Sequence, residues 1–253
     1  MNKWVRRVLR ACRLYDPVVD VKHWLSGTED EYVRFYSQFV NPGDLCFDIG
    51  ANVGRRTEVL LRLQARVVVV EPQEDCMKRL QRKFAANERV TLIRGAVGET
   101  KGKAEIQLCD SHSLSSLSPD WIDSVRSSGR YAQCRWSRSM TVDVTTLDQL
   151  IDDHGSPAFV KLDVEGYEYE AIKGLSRPVA CICFEFTPEF IDATRRCVDH
   201  LAQLGAARFN YCLEGTQASL ELDRWANAAE MQKVIDSLAA QKRAGDVYAR
   251  FDL

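Results

Sequence analysis

The sequence predicts an open, mainly parallel α/β sheet, on three observations. Short apolar runs alternate with amphipathic helical stretches along most of the 253 residues, the pattern of strands joined by crossover helices. Between the first such strand (residues 45–49) and its helix (55–64) lies a tight loop, Phe47-Asp48-Ile49-Gly50-Ala51-Asn52-Val53-Gly54. The second strand, Arg66-Val67-Val68-Val69-Val70, runs into Glu71.

The elements follow in order. Residues 1–15 are basic and partly apolar, with Lys3, Arg6, Arg7, Arg10 and Arg13 among Trp4, Val5, Val8 and Leu9. That stretch reads as an amphipathic helix resting on its own domain or on a partner subunit, in preference to a membrane surface. A homo-oligomer through this helix is the assembly it suggests. Residues 30–40 place Tyr32, Phe35, Tyr36 and Phe39 at i, i+3, i+4 and i+7, one stripe of a second helix. We therefore expect an N-terminal helical cap over residues 1–40 and one domain over 41–253. After the turn Asn41-Pro42-Gly43-Asp44 come the first strand and helix, then strand 67–70, helix 74–87 and strand 90–93. Residues 100–146 differ: strand-like pieces at 104–109 and 140–145 flank a polar, serine-rich stretch at 110–138. A β-hairpin-like insertion with a mobile substrate-side loop is expected there. Alternation resumes with helix 147–152, strand 158–162, helix 167–174, strand 179–186, helix 189–204, strand 208–213, helix 227–241 and strand 246–251.

The glycine loop selects its ligand by what it lacks. A dinucleotide site needs G-x-G-x-x-G so that the backbone can touch a pyrophosphate. Here the spacing is Gly50-x-x-x-Gly54, and Asp48 stands two residues before the first glycine. A carboxylate there suits a cationic ligand. Glu71, at the tip of the second strand, is placed to accept from both hydroxyls of a ribose. S-adenosylmethionine (SAM) has an ammonium, a sulfonium and a ribose but no phosphate, so it fits better than NAD. The flexible Arg94-Gly95-Ala96-Val97-Gly98 lets the backbone approach an adenine.

Composition narrows the class. A net charge of −2 with 28% charged residues is an ordinary surface, so no nucleic-acid partner is expected. Nine cysteines without a C-x-x-C pair read as reduced thiols of a cytoplasmic protein. No run approaches a membrane span. Cys181 and Cys183 share one strand face, where packing is expected. The four histidines lack ligand spacing, so zinc is not expected.

The chemistry concentrates in Lys161-Leu162-Asp163-Val164-Glu165-Gly166-Tyr167-Glu168. In an extended strand Lys161, Asp163 and Glu165 point to one side, at the carboxyl end where open α/β sheets bind ligands. Glu185 ends another apolar strand at the same edge. Asp163 and Glu165 are the candidate catalytic bases, with Glu185 and His112 behind them. A divalent ion on Asp163 and Glu185 is disfavoured for want of a third ligand.

Together these stretches, with Val70-Glu71-Pro72, Ala96-Val97, Ser115-Ser116-Leu117 and Thr146-Leu147-Asp148, resemble the FkbM-type family of SAM-dependent methyltransferases. The resemblance covers about residues 41–186. It implies a class I methyltransferase (Rossmann-like) fold, a seven-stranded sheet whose last strand is antiparallel. It implies methyl transfer from SAM, usually to a hydroxyl of a sugar or secondary metabolite. Asp48, Gly50, Ala51, Asn52, Gly54, Thr57, Glu71, Pro72, Ala96, Val97 and Asp163 are then the expected cofactor-binding residues. The alternatives are N- or C-methylation on the same fold, or SAM binding without catalysis. Arg55-Arg56 departs from the small or neutral residues expected after the loop; these cations oppose the helix dipole and suit either the SAM carboxylate or an acidic acceptor.

Overall fold

The computed structural model describes residues 28–214 and 219–252; the basic segment 1–15 expected as a helix lies outside them. Ten strands form two sheets. The main sheet has the order β3-β2-β1-β7-β8-β10-β9, made of β1 (Leu45–Ile49), β2 (Arg66–Glu71), β3 (Val90–Arg94), β7 (Phe159–Leu162), β8 (Cys181–Phe186), β9 (Ala207–Leu213) and β10 (Gly245–Phe251). β10 is antiparallel to both β8 and β9, and the pairings among β1, β2, β3, β7 and β8 are parallel. This is the seven-stranded sheet with a reversed final strand that the resemblance implied.

Both faces of the sheet are covered, which explains why Val67 to Val70 are all buried instead of alternating. One face meets α1 (Thr28–Tyr36), α2 (Arg55–Arg62) and α3 (Glu74–Phe84) through Phe35, Leu60, Leu80 and Phe84. The other meets α5 (Leu147–His154), α6 (Glu168–Lys173), α7 (Ile191–Leu204) and α8 (Ala228–Ala240) through Leu150, Ile172, Leu201 and Ile235. Each such side chain contributes about 1.5–3 kcal/mol when fully buried. The aromatic stripe on α1 is core as expected: the Tyr36 ring lies 5.3 Å from Phe159, and Phe35 lies 5.5 Å from Tyr248. Helix starts are set locally. Thr146 accepts from Gln149 N–H at 3.0 Å to open α5, and Asn227 and Glu230 form a reciprocal capping box at α8.

The insertion is a hairpin, but not a structureless loop. β5 (Gly102–Cys109) and β6 (Trp136–Thr145) pair antiparallel, with β4 (Ala96–Val97) parallel on the far side of β6. Between them the serine-rich stretch folds into α4 (Pro119–Ser127). Ser118 caps that helix by accepting from Trp121 N–H at 3.2 Å, with proline in its first turn. Trp121, Ile122 and Val125 form a small core with Cys109, Leu114 and Cys134. The polar composition hid three apolar residues at helical spacing. The eight described cysteines, Cys181 and Cys183 among them, are buried. No helix among the described residues is long and apolar enough to cross a membrane.

Candidate active site

A cavity of about 1230 Å³ opens at the carboxyl ends of β1, β2, β7 and β8. The glycine loop forms one wall. Gly50 has φ +79°, and a Cβ there would stand 1.9 Å from the Asp163 carbonyl oxygen. Only glycine lets the β1 loop press against the β7 loop, so the two sequence motifs meet through one missing methyl group.

Asp48 is 1% exposed and accepts from the Thr57 hydroxyl at 2.5 Å. Burial pushes its pKa up, against the pull of Thr57 and Lys161. Glu71 accepts from the Asn52 and Gln73 backbone N–H groups, each at 2.8 Å. Burial still pushes its pKa up to about 7. Each carboxylate oxygen of Glu71 keeps acceptor capacity after those bonds, enough for ribose hydroxyls.

On the other side of the cavity, β7 ends at Leu162, and Asp163 and Glu165 lie in the turn beyond it. Glu165 has φ +53°, a left-handed conformation that costs a glutamate about 1–3 kcal/mol. Its carbonyl accepts from the Ser116 hydroxyl at 2.6 Å, which ties the strained turn to the insertion. Gly166 follows at φ +87°, and a Cβ there would collide with Trp121 at 2.1 Å. Glu165 is thus not an in-line strand residue, as its spacing suggested. The turn nonetheless delivers it: Asp163, Glu165 and Glu185 each bring a carboxylate oxygen within 4.8 Å of the others. Among the described residues, no donor bonds the carboxylates of Glu165 and Glu185. Burial first, then Glu185 and Asp163, raises the Glu165 pKa well above the usual range. Burial and Asp163 do the same to Glu185, with Lys161 opposing. The trio supplies the third oxygen donor that the sequence reading lacked for a divalent ion, but three acids alone do not select a metal over a proton.

Lys161 is fully buried beneath this cluster. Its ammonium reaches Asp246 of β10 at 3.1 Å and Asp163 at 3.4 Å. Burial works against its charge, but Asp163 and Asp246 outweigh that and hold its pKa well above the usual value. Asp246 escaped the sequence reading, which took in Glu168 at the end of the Lys161–Glu168 stretch but gave it no role. Glu168 is buried and accepts from the Val164 N–H at 3.1 Å; burial pushes its pKa up to about 7. The acidic start of α6 was its only signal, and Asp246 had none.

The other expected residues divide clearly. Ala51, Asn52, Pro72, Ala96 and Val97 line the cavity. Gly54 and Thr57, expected to touch the cofactor, stand behind the wall. Gly54 opens α2 in a left-handed conformation against Leu80 and Phe84, and Thr57 serves Asp48. His112 lines the cavity in a short turn whose carbonyl accepts from Gln73 Nε2 at 2.8 Å. It sits beside Gln73 and outside the carboxylate trio.

The chain matches the methyltransferase FkbM domain over residues 48–206, more than half its length. The protein belongs to the FkbM methyltransferase family. The FkbM methyltransferase domain runs from Asp48 to just past the end of α7. A curated relative, the hexuronic acid methyltransferase AglP of Haloferax volcanii, is 24% identical over 62% of this chain and 60% of its own length. The match thus spans under two thirds of that relative. Among solved structures, an O-methyltransferase from Bacillus cereus in complex with SAH is 14% identical, with a TM-score of 0.46 over 90% of this chain and 81% of that one. A precorrin-6y C5,15-methyltransferase from Geobacter metallireducens is 13% identical, with a TM-score of 0.44 over 87% and 88%.

Proposed function

We propose that this FkbM domain catalyses O-methylation, transferring the methyl group of SAM to a hydroxyl of a sugar or related metabolite. The observation that carries the reading is the carboxylate trio. A hydroxyl nucleophile must lose a proton, whereas the nitrogen of a neutral amine attacks without prior deprotonation, so unpartnered carboxylates at the reaction edge favour oxygen as the acceptor. The hexuronic acid named for the haloarchaeal relative is a hydroxyl-bearing sugar of this kind.

The cavity's chemistry fits SAM: acids for its cations, a pinned Glu71 for its ribose and a glycine wall for close approach. When bound, SAM supplies a methyl group already activated by the sulfonium. The protein's task is then alignment and proton handling. Lys161 and Asp246 fix Asp163 from below, and Asp163 orients the acceptor hydroxyl. Glu165 or Glu185, in its ionised form, would take the hydroxyl proton. Their raised pKa makes them stronger bases than ordinary carboxylates.

A panel of sugars and hydroxyl metabolites, incubated with isotope-labelled SAM and read by mass spectrometry, tests the reading. We expect label on oxygen in at least one sugar-type product. Label found only on nitrogen or carbon would replace O-methylation with the alternative. SAM binding with no transfer to any acceptor would point to a non-catalytic binder.

A further inference from the structure

The cavity is divided by charge. Its floor is acidic, with Asp48, Asp163, Glu165 and Glu185. Another side carries six cations: Arg55 and Arg56 from α2, and Lys78, Arg79, Arg82 and Lys83 from α3. SAM has two cationic groups and one carboxylate. The floor answers the cations, and one carboxylate needs one guanidinium fork. Six cations exceed that requirement.

Four of the six are engaged within the protein, Arg55 and Arg79 among them, and Glu58 and Asp75 stand on the same wall. Lys83 binds Glu58 at 3.1 Å and the Val53 carbonyl at 3.2 Å, and Lys78 binds Glu74 at 2.7 Å. Arg56 differs. Its guanidinium carbon lies 3.8 Å from the centre of the Tyr32 ring and 5.7 Å from that of Tyr36. No carboxylate forms an ion pair with it among the described residues. Tyr32 also hydrogen-bonds Arg56, and a guanidinium laid on an aromatic face can turn its remaining edge donors to a planar anion. Arg82 is exposed at the mouth and donates through Nε only to the Lys78 carbonyl, at 3.2 Å.

We propose that the methyl acceptor is itself anionic, and that Arg56 on its Tyr32 platform grips the anionic group while the α3 cations draw it in. This inference rests on the O-methylation reading and names its substrate class: a hydroxyl metabolite bearing a carboxylate or a phosphate. The bidentate fork suits both groups, and a positive rim raises the local concentration of either.

Calorimetry on the full chain saturated with S-adenosylhomocysteine (SAH) tests this with three probes: D-glucuronate, D-glucose 1-phosphate and neutral D-glucose. At least one anionic probe should bind about tenfold tighter than glucose, roughly the worth of one charge-assisted bidentate contact. The anion that binds tighter identifies the source as a sugar acid or a sugar phosphate. Arg56→Gln should erase the preference and leave SAH affinity within about twofold. Arg82→Gln, at an exposed position that does not threaten folding, should weaken the anionic probe about two- to threefold and flatten its salt dependence. Equal or absent binding of both anionic probes overturns the proposal while SAH binding leaves the methyltransferase assignment standing. Loss of SAH affinity in Arg56→Gln, with the anion preference unchanged, assigns the fork to the cofactor's carboxylate and overturns the proposal too. Failure of the wild type to bind SAH would instead strike the reading beneath it.

Discussion

The two carboxylate sets of this cavity are built in opposite ways. On the β1–β2 side, Asp48 and Glu71 are nearly sealed and strapped by Thr57, Asn52 and Gln73. On the β7–β8 side, Glu165 and Glu185 are half-buried and meet no donor among the described residues, and only Lys161 touches Asp163. Under the proposed function, the difference separates holding from reacting. A strapped carboxylate has one orientation and suits a ligand that always presents the same groups. A carboxylate without donors, crowded by two others, has a raised proton affinity, so whichever of the pair is ionised is the stronger base toward an incoming hydroxyl.

The largest effect should come from the element that joins the reactive side to the insertion. Trp121 is fully buried, covers Gly166 and donates to the Thr187 hydroxyl at 3.2 Å. Trp121→Ala should cost about 3–5 kcal/mol of stability in a denaturant melt. It should also depress turnover more than SAM affinity. Equal losses of both would show that the two sides are not mechanically distinct.

Next in size is the chemistry. Asp163→Asn should lower turnover about 10²-fold or more with SAM affinity largely kept. Glu185→Gln should also shift the ascending limb of the pH–rate profile downward, because it removes a neighbouring negative charge that raises the Glu165 pKa. Full turnover in both variants, with normal SAM binding, would deny the trio its role.

A smaller effect is expected on the holding side. Glu71→Gln should weaken SAM binding by about 1–3 kcal/mol. The wild type carries a further mark. Burial lifts Glu71 from 4.5 to about 7, so the folded protein keeps a proton that the unfolded chain has lost between those values. Its contribution to stability is therefore favourable at low pH and is lost as pH rises from 4.5 through 7. Ribose needs the ionised form as acceptor, so SAM affinity should fall, by up to about tenfold, between pH 8 and pH 6. Calorimetry at the two pH values should show this in the wild type and not in Glu71→Gln.

Smallest is Thr57→Val, which removes the hydroxyl donor to Asp48 and preserves shape. A loss of about 1 kcal/mol in SAM affinity is expected, with turnover at saturating SAM unchanged. A drop in saturated turnover instead would place Asp48 in the chemistry and blur the contrast between the two sides.

The sequence shows the holding side more completely than the reactive one, for a physical reason. Asp48, Gly50 and Glu71 lie on two adjacent strands and one loop, so local spacing fixes their neighbourhood. Strand and helix positions along the sheet were equally legible, because hydrophobic periodicity is a local property. The reactive side is assembled from β7, β8, β10 and the insertion. Its geometry depends on a left-handed turn at Glu165, a tryptophan against Gly166 and a counterion on β10, none of which has a short-range signal. Gly54 and Thr57 were misplaced because a motif marks a loop without saying which atoms face the ligand.

The Lys161–Asp246 ion pair spans 85 positions of sequence, and this has a consequence for biosynthesis. Lys161 leaves the ribosome on the order of ten seconds before its second counterion is made. Until β10 slides between β8 and β9, only Asp163 can neutralise that ammonium, and the carboxylate needed for the acceptor is held down by it. In a nascent chain of this design the charge balance beneath the carboxylate trio is completed only by a strand made late in translation.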